Sequence, residues 1–192
     1  MPKVEKNLFL KIGRKVSPRA ILLGLGVVFV VSLIILVLMS RRTNNTPKLE
    51  AKKASLRLEP GSGSFKVGEE FVVKIILDTG DFETDATDVR ISYDPTMVTI
   101  TKVTEGQIYD DYPAKRIDSG NGMVIVNAIT SLTKTFKGKE TFAALNLKGI
   151  KKGKAVLLIA FNPGATNDSN VVGTKISKDI LEEAEGATFE IE

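Results

Sequence analysis

The stretch that most constrains this chain is AILLGLGVVFVVSLIILVLM, residues 20–39, which carries no charge and a single hydroxyl, Ser32. As a helix rising about 1.5 Å per residue it reaches about 30 Å, the thickness of a bilayer's hydrocarbon core. Apolar or small residues fall on every face, so the helix has no polar side to turn to water and does not suit the surface of a soluble domain. The run also exceeds the roughly 7–15 residues of a cleavable signal core, and it ends Leu38-Met39-Ser40-Arg41 rather than in a small-x-small site. A permanent transmembrane helix over 20–39 is therefore expected, with the rest of the chain on one side of it or the other.

Charge follows the same division. The formal +4 suggests nucleic acid until it is split: residues 1–53 hold eleven Lys or Arg against Glu5 and Glu50, and the remainder holds sixteen against twenty-one acids. The basicity belongs to the membrane flanks, where anionic headgroups lie, and the globular part is mildly acidic. Nucleic-acid binding is excluded on that ground. The tail 1–19 carries Lys3, Lys6, Lys11, Arg14, Lys15 and Arg19, nearly matched by Arg41, Arg42, Lys48, Lys52 and Lys53 beyond the apolar run. A first hydrophobic segment usually sets orientation, and long domains cross largely regardless of charge. The expectation is a single-pass protein of the cell membrane with a cytoplasmic N-terminus and an extracytoplasmic C-terminal domain. Residues 40–53, polar and charged without apolar period, read as a solvated linker.

From Ala54 onward the hydrophobic period becomes two. Residues 55–59 alternate, Pro60-Gly61-Ser62-Gly63 reads as a turn, and 71–77 is a β-rich run. In Thr87-Asp88-Val89-Arg90-Ile91-Ser92-Tyr93 the apolar Val89, Ile91 and Tyr93 share one face, and Asp88, Arg90 and Ser92 the other. Asp94-Pro95 ends that strand because proline has no amide hydrogen. Further runs at 97–103, 123–128, 141–147, 155–161 and 187–191 are separated by polar turns, and 178–185 is the one helix-compatible stretch. This pattern predicts an antiparallel β-sandwich at 54–192.

Three pieces of that domain resemble the cohesin family, the dockerin-binding modules of bacterial cellulosomes: Phe65-Lys66-Val67-Gly68-Glu69-Glu70-Phe71-Val72-Val73, then Ala86 to Val98 with its Tyr93-Asp94-Pro95, then Phe142 to Lys148 with Gly153-Lys154-Ala155-Val156. The resemblance implies a nine-stranded jelly-roll β-sandwich with no enzymatic activity, a dockerin-like protein partner, and cell-surface attachment. It also implies a partner-binding role for the aspartate five residues before the tyrosine, here Asp88. An amide often found two positions earlier is Ala86 in this chain. Arg90, Ser92, Asn127 and Thr130 join Asp88 as candidates from outward parity or strand-end position.

Cysteine and histidine are both absent, which removes thiol chemistry, disulfides and the commonest general base. Asp110 and Asp111 are adjacent, so on a strand their carboxyls point apart rather than facing across a glycosidic bond. Catalysis is not expected. Related sandwiches bind polysaccharide, usually by laying aromatic rings on sugar faces; with no Trp present, Tyr109 and Tyr112 are the candidate platform for a carbohydrate-binding alternative. No cofactor is expected beyond a structural calcium ion, for which the acidic loops offer Asp81, Asp85 and Asp168 as hard oxygen donors.

Overall fold

A computed structural model describes residues 29–36, 51–131 and 133–192. The chain divides into two units, 1–49 and 50–192. The described part of the first is helix α1, residues 29–36, exposed from Phe29 to Leu36 and apolar but for Ser32. Among the described residues no helix is long and apolar enough to cross a membrane. The rest of the span expected over 20–39, the tail 1–19 and most of the linker lie outside the described residues.

The second unit is an all-β sandwich of thirteen strands: β1 (Ala54–Glu59), β2 (Ser62–Phe65), β3 (Glu70–Asp78), β4 (Thr84–Tyr93), β5 (Val98–Glu105), β6 (Asp111–Asp118), β7 (Met123–Ile129), β8 (Lys139–Gly149), β9 (Gly153–Ile159), β10 (Asn170–Gly173), β11 (Lys178–Asp179), β12 (Leu181–Glu185) and β13 (Ala187–Ile191). One sheet runs β12-β1-β3-β8-β5. In the other, β4 is flanked by β7 and β6 on one edge, while its other edge is shared by β10 near its start and β9 near its end, leading on to β13 and β2. Alternation places Leu56, Ile75, Leu145 and Leu147 from the first sheet against Val89, Ile91, Val124, Leu157 and Phe189 from the second, all fully buried. Phe65 stacks on Phe71 at 3.8 Å between ring centroids and closes the core at one end.

Four readings of the sequence are corrected. Among the described residues the strand count is thirteen rather than nine, because β2, β6 and β10 to β12 are short or polar and lack a clean period. Residues 178–185 form no helix: β11 and β12 occupy them, and β12 pairs with β1. The sandwich is mixed rather than wholly antiparallel, since β1 pairs with β12, and β2 with β13, in parallel. Finally, Tyr109 and Tyr112 are each 6% exposed and so offer no sugar-stacking platform. Their rings pack on Phe142. The Tyr109 hydroxyl lies 3.1 and 2.6 Å from the hydroxyls of Thr84 and Thr87, and that of Tyr112 donates to the Phe142 carbonyl at 2.6 Å. Desolvation raises both phenols, Tyr112 to about 12.

Candidate protein-binding face

The two sheets present opposite kinds of outer surface. On the β12-β1-β3-β8-β5 sheet, cross-strand register sets opposite charges side by side: Glu59 faces Lys74, Glu70 faces Lys148, and Asp78 faces Lys139. Such opposite-charge neighbours favour a solvated surface, on which Val72 is also exposed. The outer face around β4 is different. Met123, Ile129 and Leu158 are exposed there, Leu158 by 57%, and Ile125, Val156 and Val172 are partly so.

Register fixes how this face is laid out. Ile129, Ala86 and Val172 form a row across β7, β4 and β10; Asn127, Asp88 and Asn170 form the next; Met123, Ser92 and Leu158 form a row two steps further along, across β7, β4 and β9. Between them Ile125 faces Arg90. Where β10 gives way to β9, the Ser169 hydroxyl accepts the Arg90 amide at 3.0 Å and the Arg90 carbonyl accepts the Ala160 amide at 2.8 Å, so the edge of β4 stays satisfied across the change of partner. A polar row is thus flanked by apolar rows, all on a continuously hydrogen-bonded support.

In that row Asn170 donates its side-chain amide to the Asp168 carbonyl at 3.0 Å, whereas Asp88 and Asn127, with Arg90 beside them, are left largely unengaged. Asp88 and Arg90 take part in none of the ion pairs among the described residues. The Arg90 Nε and the Asn127 Oδ1 are shielded from solvent with no hydrogen-bond partner. Desolvation raises the pKa of Asp88, with the nearby Arg90 charge acting in the opposite sense. Asp94, Asp110 and Asp118 behave oppositely, held below the ordinary carboxylate range by hydrogen bonds from Thr96, from Lys134, and from Asn121 respectively. Unpaired, half-buried polar groups beside exposed apolar ones suit a surface that another protein completes.

Four of the five residues singled out from sequence, Asp88, Arg90, Ser92 and Asn127, share this face. Thr130 stands apart: its hydroxyl donates to Asp110 at 2.9 Å, and its amide to the Asp85 carbonyl, so it secures a loop. Asn170, Met123, Ile129 and Leu158 were not singled out. A signal for three of them exists in Met123-Val124-Ile125-Val126-Asn127-Ala128-Ile129 and Ala155-Val156-Leu157-Leu158-Ile159, which are apolar on both parities. In strands of a two-layer sandwich, one of those parities must face outward. Asn170 left no such signal.

The calcium candidates are not assembled. Asp81 accepts the Lys52 amide at 2.7 Å, Asp85 lies on β4, and Asp168 accepts the Asn162 amide at 2.5 Å in the loop before β10. Among the described residues no three acidic side chains group closely enough to hold a metal ion.

The sequence profile of the cohesin domain matches residues 57–181. The chain belongs to the cohesin family. Cohesins are non-catalytic binding modules. No curated protein matches this cohesin. Solved structures show its fold. It resembles the third ScaC cohesin of Acetivibrio cellulolyticus, solved with the ScaB dockerin, at 14% identity and a TM-score of 0.59 over 72% of this chain and 98% of that one. It likewise resembles the cohesin of the Coh-OlpC-Doc435 complex of Clostridium thermocellum, at 16% identity and 0.58 over 74% and 96%. A non-cellulosomal cohesin of the archaeon Archaeoglobus fulgidus resembles it at 13% identity and 0.56 over 73% and 92%.

Proposed function

We propose that this cohesin is a non-catalytic attachment module that holds a dockerin-type protein on the outer face of β4, β6, β7 and β9, and is displayed outside the cell on a membrane anchor at 20–39. The observation that carries the reading is the cluster of unengaged Asp88, Arg90 and Asn127 among exposed Met123, Ile129 and Leu158, opposite a sheet whose charges face one another in register. Family membership supports a protein as the partner, and two of the similar structures are cohesin–dockerin complexes. Hydrogen bonds to the polar row set orientation, and the apolar rows supply affinity. The anchor and the surface location rest on the apolar run and its basic flanks.

The test is titration of the full chain in detergent micelles with purified dockerin modules encoded by the same genome. Saturable binding by one of them, weakened at least about tenfold by Leu158→Glu with an unchanged melt, is expected for a face hot spot. Binding by none, or binding indifferent to both Leu158→Glu and Met123→Glu, overturns the reading. Protease shaving of intact cells tests the orientation, because a cytoplasmic domain survives it.

A further inference from the structure

Asp88 and Arg90 project from the same face of β4, two residues and so about 6.7 Å apart along the strand. Both are half-buried, and among the described residues neither makes a close ion pair, Arg90 acting on Asp88 only through space along the strand. The groups facing them from neighbouring strands are uncharged: Asn127 and Ile125 on β7, and Asn170 on β10. The next cation on the face, Arg116 of β6, already lies 3.3 Å from Asp118. Partly desolvated opposite charges left without partners are costly to a lone domain, and a complementary pair on a second protein removes the cost.

An α-helix places residues i and i+4 on one face, about 6 Å apart along its axis. That spacing matches two strand residues to within about an ångström. We infer that this face selects a partner helix lying along β4 with a basic side chain over Asp88 and an acidic side chain four residues away over Arg90. The inference rests on the docking reading above and adds the chemistry of the occupant. Ile129 and Val172 lie beyond the Asp88 end, and Met123 and Leu158 beyond the Arg90 end, so the same helix carries apolar residues on either side of its charged pair. Arg90 is a specificity-determining residue: it rejects a helix with a second cation at i+4 and favours one with a carboxylate.

The test is selection of a phage-displayed library of helical hairpins, with apolar positions fixed and positions i and i+4 randomised, against the full chain in detergent micelles. Enrichment of Lys or Arg at one position and Asp or Glu at the other is expected. Their binding should weaken at least tenfold on the Arg90→Glu chain, and a second selection on the doubly exchanged Asp88→Arg, Arg90→Asp chain should yield the reversed charge order. The exchanged chain keeps its composition, and its melt is compared with the parent. Enrichment of hairpins that lose binding in Leu158→Glu but show no charge preference at i and i+4 overturns this inference and leaves the docking face standing. Enrichment of none, or of hairpins indifferent to Leu158→Glu, overturns the docking face and this inference with it.

Discussion

Asp88 on β4 and Asn127 on β7 lie directly opposite each other in the register of the two strands, and among the described residues neither side chain has a hydrogen-bond partner. A sandwich built only for stability has an easy remedy at such a position. Here the pair stands open, and that bears on how the domain responds to pH and to substitution.

Because burial raises the folded-state pKa of Asp88, the folded chain holds a proton there that the unfolded chain has already released, and stability falls as pH rises through that window. Ionised Asp88 is therefore a net cost at neutral pH. Asp88→Asn should raise Tm by roughly 1–4 °C at pH 7, in the range of relieving one unfavourable surface group. The gain should vanish below about pH 4, where the acid is protonated in both states. Partner binding should weaken in the same variant. Melts across pH, set beside a titration with the partner, check both halves.

Tyr109→Phe tests the opposite kind of residue. Asp85 is the extra residue of a β-bulge, which turns both Thr84 and Thr87 inward onto the one Tyr109 hydroxyl. Removing that hydroxyl leaves buried threonine oxygens short of a partner, at a cost of about 1–3 kcal/mol by urea denaturation. Binding at the β4 face should not change.

Gly122 sits at φ +61°, where a side chain is strained, and a Cβ there would lie 2.1 Å from the Tyr93 carbonyl oxygen. The Gly122 carbonyl also accepts the Tyr93 amide at 2.8 Å, tying the β6–β7 turn to the end of β4. Gly122→Ala should destabilise the domain by about 2 kcal/mol or more, since the strain adds to a backbone clash. Equilibrium unfolding measures it.

Asp110 gathers the Thr130 hydroxyl, the Ser131 amide and the Lys134 ammonium, at 2.9, 2.9 and 2.6 Å, and these hold its carboxyl below the usual range. A lowered folded pKa contributes stability above about pH 4 that is lost as pH falls through the folded value. Asp110→Asn should remove that acid dependence and speed hydrogen exchange at the Ser131 amide, with the exchange of Val89 and Val126 unaltered.

What could be read from sequence, and what could not, has a physical basis here. β4 was legible because one face is buried and the other meets solvent, which writes a period of two, and Asp94-Pro95 marks its end. β12 was not: on the sheet edge only Leu181 and Ala184 pack inward, and Leu-Glu-Glu-Ala-Glu then suits a helix as well as a strand. β6, another edge strand, carries Pro113 and reads as a loop. Asp88, Arg90, Ser92 and Asn127 could be assigned to one face by parity alone. Asn170 could not, because it reaches Asp88 through a pairing between strands far apart in sequence. Tyr109 and Tyr112 misled because a tyrosine in a polar loop looks the same whether its ring turns out to a sugar or in to Phe142.

The parallel pairings of β1 with β12 and of β2 with β13 join the start of the sandwich to its close, one in each sheet. Neither can form until nearly the whole domain has emerged from the ribosome, so a growing chain offers the early strands no lasting partner at those edges. Contacts of such long sequence range make for slow folding, and the unfinished edges are open to wrong pairing meanwhile. Under the display outside the cell proposed above, late closure would be an advantage: the domain would stay unfolded, and so translocatable, until its last strands arrive.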